Sequence, residues 1–177
     1  MDGTSFEQEQ RGVALGMAVA ALVTGVALAA AVILSPDTIT PLPDRLKLVL
    51  TCDLFVVLWL ALAIGTVARL RFFSVQDIAG SAFTEQSQQI RVASAFLQNT
   101  LEQVTLAVPV HLALACLVGD YDYIFPTLAA LFCLGRLLFW IGYKRGARAR
   151  AFGFALTFYP NLGMLFLAVA LAIISVL

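Results

Sequence analysis

Five stretches of this sequence run for about 20 residues or more with at most one charged side chain each, and nothing else limits the fold as strongly. Residues 12–34 and 151–177 carry no charge, 48–68 carry only Asp53, 92–119 only Glu102, and 123–143 only Arg136. A bilayer core about 30 Å thick is crossed by about 20 helical residues. Inside it each backbone polar group must be satisfied within its own segment, so these stretches are expected to be helices. The expected fold is an all-α membrane protein with spans over 12–34, 47–69, 91–119, 123–144 and 151–177.

Composition agrees. Of 177 residues, 61% are hydrophobic and 12% charged, about half the charge of a soluble domain. The chain is long enough for one bundle and no second large domain. Its net charge of zero gives no general pull toward nucleic acid, and none is expected as a partner. Membrane lipid is. Cys52, Cys116 and Cys133 each lie in an apolar run without CxxC or metal-ligand spacing. They read as small buried hydrophobes.

The first span differs from a signal peptide. Asp2, Glu7 and Glu9 precede it against Arg11 alone, the wrong balance for a basic leader. Five spans place Arg11, Arg69, Arg71, Arg91, Lys144, Arg145, Arg148 and Arg150 on one side, and Arg45 and Lys47 on the other. That asymmetry predicts a cytoplasmic N-terminus and a C-terminus across the membrane. The turns Asp120-Tyr121-Asp122 and Gly146-Ala147 are short enough to make their flanking helices antiparallel neighbours. Ser74–Gln89 reads as the one sizeable loop, mobile or amphipathic in part. Gly12 and Gly16 form a small-xxx-small pair that would admit a second helix closely.

Isolated polar residues within apolar helices carry the functional signal. A charge at mid-helix costs about 2.5–3.5 kcal/mol on insertion scales. Glu102 lies about 16 Å deep from Arg91, Asn99 about 12 Å, and Arg136 about 12 Å from Lys144 at 1.5 Å per residue. Asn99 and Glu102 share a helix face, as do Arg136 and Tyr143. The expectation is an internal Glu102–Arg136 pair leading to a basic mouth at Tyr143, Arg148 and Arg150. Such a cavity would suit an anionic ligand with one amino group. The competing expectation is a pair that only locks two helices together.

His111 is the sole histidine, so one chain offers no second histidine to ligate haem. It reads as a hydrogen-bonded or pocket-lining side chain. Asp53 lies toward the outer end of its span, where Lys47 or water could meet it, and a proton-relay role has no evident partner. Pro109 and Pro160 should kink their helices and free the carbonyls of Thr105 and Leu156. No GxGxxG, Walker, GxSxG or HExxH pattern occurs. A transporter or channel built on Asp53, His111, Glu102 and Arg136 is disfavoured, because these charges do not span the bilayer continuously.

Two motifs carry a family resemblance. Leu97-Gln98-Asn99-Thr100-Leu101-Glu102-Gln103 resembles the second-helix motif of the MAPEG family, the membrane-associated proteins in eicosanoid and glutathione metabolism. Gly135-Arg136-Leu137-Leu138-Phe139-Trp140-Ile141-Gly142-Tyr143, with Arg150 seven residues on, resembles the end of the family's third helix and the start of its fourth. Ala68-Arg69 is similar to the end of its first helix. The resemblance covers about residues 48–177. It implies a MAPEG-like four-helix core over 41–177 and an extra N-terminal transmembrane helix within 1–40.

Several functional expectations follow from the resemblance. The family forms trimers and holds glutathione in a cytoplasmic-side cleft between subunits, while lipophilic substrates enter from the bilayer. Asn99 and Glu102 would contact the peptide and γ-glutamyl amine of glutathione, Arg69 would face a carboxylate, and Arg136 and Tyr143 would line the pocket. Arg150 would hold the thiol as thiolate and is the expected catalytic residue. No metal and no haem are implied. The implied activity is a glutathione-dependent transferase or peroxidase in a homotrimer. The alternative is a non-catalytic lipid-binding or accessory subunit of a larger membrane complex, with a heteromeric partner on the N-terminal helix. Departures from the pattern bear on glutathione. Ala95 replaces an arginine four residues before Asn99, Gln103 stands where an aromatic often follows, Phe139 lacks a tyrosine hydroxyl found in some members, and Pro109 is displaced from the family's position.

Overall fold

The computed structural model describes residues 3–80 and 85–177. It contains α1 (Gly3–Leu34), α2 (Leu42–Phe72), α3 (Gln88–Leu117), α4 (Ile124–Tyr143) and α5 (Ala147–Val176). All five are long and apolar enough to cross a membrane. Several run beyond the expected spans because polar and basic turns at their ends continue the helix. Of the expected loop 74–89, Gln88 and Gln89 open α3, and residues 81–84 lie outside the described ones.

Local chemistry fixes the helix ends. Pro43 sits in the first turn of α2, where a missing N–H costs nothing. The Ser87 hydroxyl caps α3 by accepting from the Ile90 N–H at 3.4 Å. Gly146, at φ 102°, takes a backbone shape suited to glycine and reverses the chain between α4 and α5. Both α3 and α5 continue through their prolines, Pro109 and Pro160.

α2, α3, α5 and α4 form a ring of packed neighbours, and α1 lies outside it against α5 and α4. Val56, Val104, Ala107, Ala129 and Phe132 fill the space between α2, α3 and α4. Ala20 of α1 is buried with Leu131, Ala155 and Leu156. The Gly12 and Gly16 pair seats α1 on α5. A Cβ at Gly12 would fall 2.4 Å from the Arg148 side chain, and one at Gly16 would fall 3.3 Å from the Phe152 nitrogen. A second set of glycines, not evident from sequence, brings α4 and α5 closer still. A Cβ on Gly153 would lie 2.4 Å from the Phe139 nitrogen, and one on Gly142 would lie 2.3 Å from the Ala149 oxygen.

At the end opposite the basic loops, the α1–α2 connection crosses the α3–α4 turn. The Thr40 N–H donates to the Gly119 carbonyl at 3.0 Å. The buried Arg45 guanidinium donates to the Ala115 carbonyl at 2.8 Å and to Thr40 O at 3.0 Å. It thus places a cation in the last turn of α3, where the helix dipole favours one. The three cysteines are free; Cys52 and Cys133 are half-buried and Cys116 is exposed, which corrects the expectation that all three are buried.

Candidate functional site

Arg136 of α4 is completely buried. Its Nε and Nη2 donate to the Thr157 hydroxyl of α5 at 3.2 and 2.8 Å. Its Nη1 donates to the Asn99 amide oxygen of α3 at 2.8 Å. The close approach at Gly135 and Gly153 makes this reach possible, since a Cβ at Gly135 would lie 2.7 Å from the Thr157 hydroxyl. Thr157 in turn donates to the Gly153 carbonyl at 2.8 Å. The guanidinium also lies over the rings of Phe139 and Phe132, at 4.6 and 5.9 Å from their centroids.

The expected Glu102–Arg136 pair does not form. The Glu102 carboxylate accepts from the Gln98 amide at 3.1 Å on an exposed flank. Asn99 and Thr157 occupy the guanidinium instead, and Glu102, one turn further along α3, points past it. Among the described residues the one ion pair is between His111 and Asp53, so Arg136 has no carboxylate partner. A buried charge without an opposite charge is costly, even when hydrogen-bonded. The site therefore carries an uncompensated positive charge just beneath Asn99.

Above Arg136 lies a cavity of about 550 Å³. Asn99, Glu102, Tyr143 and Arg150 line it together. The Arg150 guanidinium lies over the Tyr143 ring, 4.9 Å from its centroid. Two residues expected at the pocket are elsewhere. Arg136 lies behind the wall as the support of Asn99, and Arg69 is exposed at the end of α2 outside the lining. A larger cavity of about 950 Å³ lies on the far side of Phe96 and Tyr143, but Lys144 is its one charged lining residue. The chemistry is concentrated in the smaller cavity, which has the volume of an ordinary small-ligand pocket.

A second polar cluster joins α2, α3 and α5 away from that cavity. His111 Nδ1 lies 2.6 Å from Asp53 Oδ1, and its Nε2 lies 2.9 Å from Asn161 Oδ1. Asn161 donates its amide to the Thr157 carbonyl at 2.8 Å. Thr157 thus touches both clusters. Neither Thr157 nor Asn161 stands out in the sequence. Their signal is that each is a polar side chain within the uncharged stretch 151–177. Among the described residues no group of three His, Cys, Asp or Glu side chains could hold a metal ion.

The family model described as MAPEG family matches residues 48–170. The chain belongs to the MAPEG family. No curated protein and no solved structure matches it significantly. The match begins within α2 and ends within α5, so it contains Asn99, Glu102, Arg136, Tyr143 and Arg150 and leaves out all of α1. This MAPEG protein is thus a multi-pass membrane protein in which the matched helices carry the polar residues and α1 packs beside them.

Proposed function

We propose that this MAPEG protein binds glutathione in the cavity above Arg136 and uses it as a transferase or peroxidase on lipophilic substrates. The observation that carries this reading is the convergence of Asn99, Glu102, Tyr143 and Arg150 on one cavity. Glutathione is a net anion with one amino group. The Glu102 carboxylate offers a partner for the γ-glutamyl amine, and Asn99, held by Arg136, offers an amide to the peptide. The uncompensated Arg136 and the nearby Arg150 favour net negative charge in the ligand.

In catalysis the Arg150 cation stabilises the thiolate over the thiol. Each unit by which the thiol pKa falls corresponds to about 1.4 kcal/mol. For a transferase, the sulfur lone pair attacks an electrophilic carbon and the leaving group departs with its bonding pair. For a peroxidase, two glutathiones give up two electrons to form a disulfide, and the hydroperoxide becomes an alcohol and water. The cavity lies at the end of the bundle where the basic loops gather. The distribution of Arg and Lys supports a cytoplasmic placement of that end.

The assembly proposed is a homotrimer, as in the family, and Arg69 is then the candidate for a site shared between copies. Titration of glutathione into purified protein tests the reading. Wild-type protein binds at millimolar concentration or below, and Arg150→Ala lowers conjugation about 100-fold, the scale of losing one charge-stabilising group. Absence of binding at millimolar glutathione would overturn it.

One observation favours a second reading. Ala95 lines the cavity where the family usually carries an arginine, which removes a cation from the ligand's surroundings. A non-catalytic lipid-binding or accessory subunit would tolerate that loss. A stoichiometric heteromeric partner in the native mass, together with no thiol chemistry, would favour it.

A further inference from the structure

α1 lies outside the family match, yet two of its side chains, Val13 and Met17, line the cavity opposite Asn99 and Glu102. They are spaced i, i+4 and share one face of the helix. Two independent contacts fix where that face sits. Lengthwise, the Glu9 carboxylate accepts from the Arg148 N–H at 3.1 Å. That N–H is one of the unpaired donors in the first turn of α5, so α1 caps a helix distant in sequence. Sideways, the bare backbone at Gly12 and Gly16 nests against Arg148 and Phe152. Register and depth are set together, and both place Val13 and Met17 over the cavity.

The resulting cavity has two unlike walls. α3 and α5 present amide, carboxylate and guanidinium groups, whereas α1 presents a branched aliphatic and a thioether. Polar parts of a ligand are drawn to the first wall, and an apolar group lies between Val13 and Met17 on one side and the Phe139 and Phe154 rings on the other, so the α1 side chains limit its size. We propose that α1 is the specificity wall of this cavity, with Val13 and Met17 setting the largest lipophilic group that fits beside the co-substrate. Which co-substrate sits there rests on the glutathione reading, but the wall itself does not.

Thiol labelling tests the wall without any co-substrate. The native cysteines are replaced by alanine or serine, and Ala95→Cys puts one thiol on the opposite side of the cavity. Full-length protein is labelled with a small methanethiosulfonate and with a bulky maleimide. With Met17→Ala, bulky labelling should speed up several-fold relative to small labelling, and with Met17→Trp it should slow relative to it. If both reagents keep the same rate ratio in all three proteins, the proposal is overturned. A parallel assay compares conjugation of a compact and a bulky aryl halide. The Met17→Ala preference should shift toward the bulky halide by about tenfold, the scale set by one or two methylenes in an apolar pocket. Absence of conjugation in every variant, with size-selective labelling preserved, would sink the glutathione reading and leave the wall standing.

Discussion

The imidazole of His111 is held between Asp53, 2.6 Å from its Nδ1, and Asn161, 2.9 Å from its Nε2. The Asn161 amide nitrogen is committed to the Thr157 carbonyl, which turns its oxygen to the ring. Nε2 must therefore donate, and one further proton lies between Nδ1 and Asp53. Wherever that proton rests, Asp53 and His111 together carry no net charge. This lets two titratable groups sit inside a membrane bundle with 3% and 1% exposure.

Breaking that cluster from one side should be worse than removing it. His111→Leu leaves a buried carboxyl without its partner and should cost on the order of 3 kcal/mol. The double variant Asp53→Leu with His111→Leu should recover most of that loss. Thermal unfolding in detergent measures both. A double variant no more stable than the single would show that the pair contributes packing rather than charge balance.

Thr157→Val should disturb the candidate site without touching the cavity. The hydroxyl accepts two guanidinium N–H groups from a buried cation. Its loss should destabilise the protein by about 1.5–3 kcal/mol, as expected for hydrogen bonds to a charged group. Ligand binding should weaken as well, because Arg136 positions Asn99. Thr157→Ser keeps the hydroxyl and should stay close to wild type in both measurements.

Gly153→Ala should be among the most damaging alanine substitutions in α5. Its Cβ would lie 2.4 Å from the Phe139 nitrogen and 2.7 Å from the Gly135 oxygen, both rigid backbone. Overpacking of this kind costs about 1–3 kcal/mol. Gly25→Ala is the matched control, since nothing lies within 4 Å of the Cβ position. It should change stability by no more than about 0.5 kcal/mol. Denaturant titration of the two variants gives the comparison directly.

The connection from α2 to α3 should loosen in acid. Asp77 accepts from the Ser74 hydroxyl at 2.6 Å and from the Ser87 N–H at 2.9 Å. These bonds, the Ser74 one foremost, hold its carboxyl below its ordinary value near 3.8. A depressed carboxyl stabilises the folded form above the unfolded pKa, and that contribution fades as pH falls through the folded one. Protection of the Ser87 amide from hydrogen exchange should therefore drop below about pH 4, near the ordinary carboxylate range. Asp77→Asn should abolish the step.

Much of this molecule is legible in its sequence because hydropathy is read along one axis. Five spans, their antiparallel turns and the two MAPEG motifs all appear as linear patterns. Counting residues from the basic ends also puts Asn99 and Arg136 at one depth, and they do bond. The same counting cannot supply the angle around each helix. It pairs Arg136 with Glu102, whereas the glycine contacts between α4 and α5 turn the guanidinium toward Thr157. Asp53, His111 and Asn161 lie on three helices at separations of 58 and 50 residues. No local window contains them, and each alone resembles an ordinary polar residue in an apolar run. Val13 and Met17 are harder still, since nothing distinguishes them from residues that face lipid.

Among the described residues α1 packs only on α4 and α5. It is the first of the five helices to leave the ribosome, and its partners are the last. During synthesis it must wait in the bilayer with Glu9 uncommitted and the Gly12 and Gly16 surface bare until the fourth further helix, α5, has been inserted. A product that stalls before residue 147 would hold α1 with only its smaller contact on α4 and without its main seat on α5. Such a fragment would offer membrane quality control a mark that the finished protein hides.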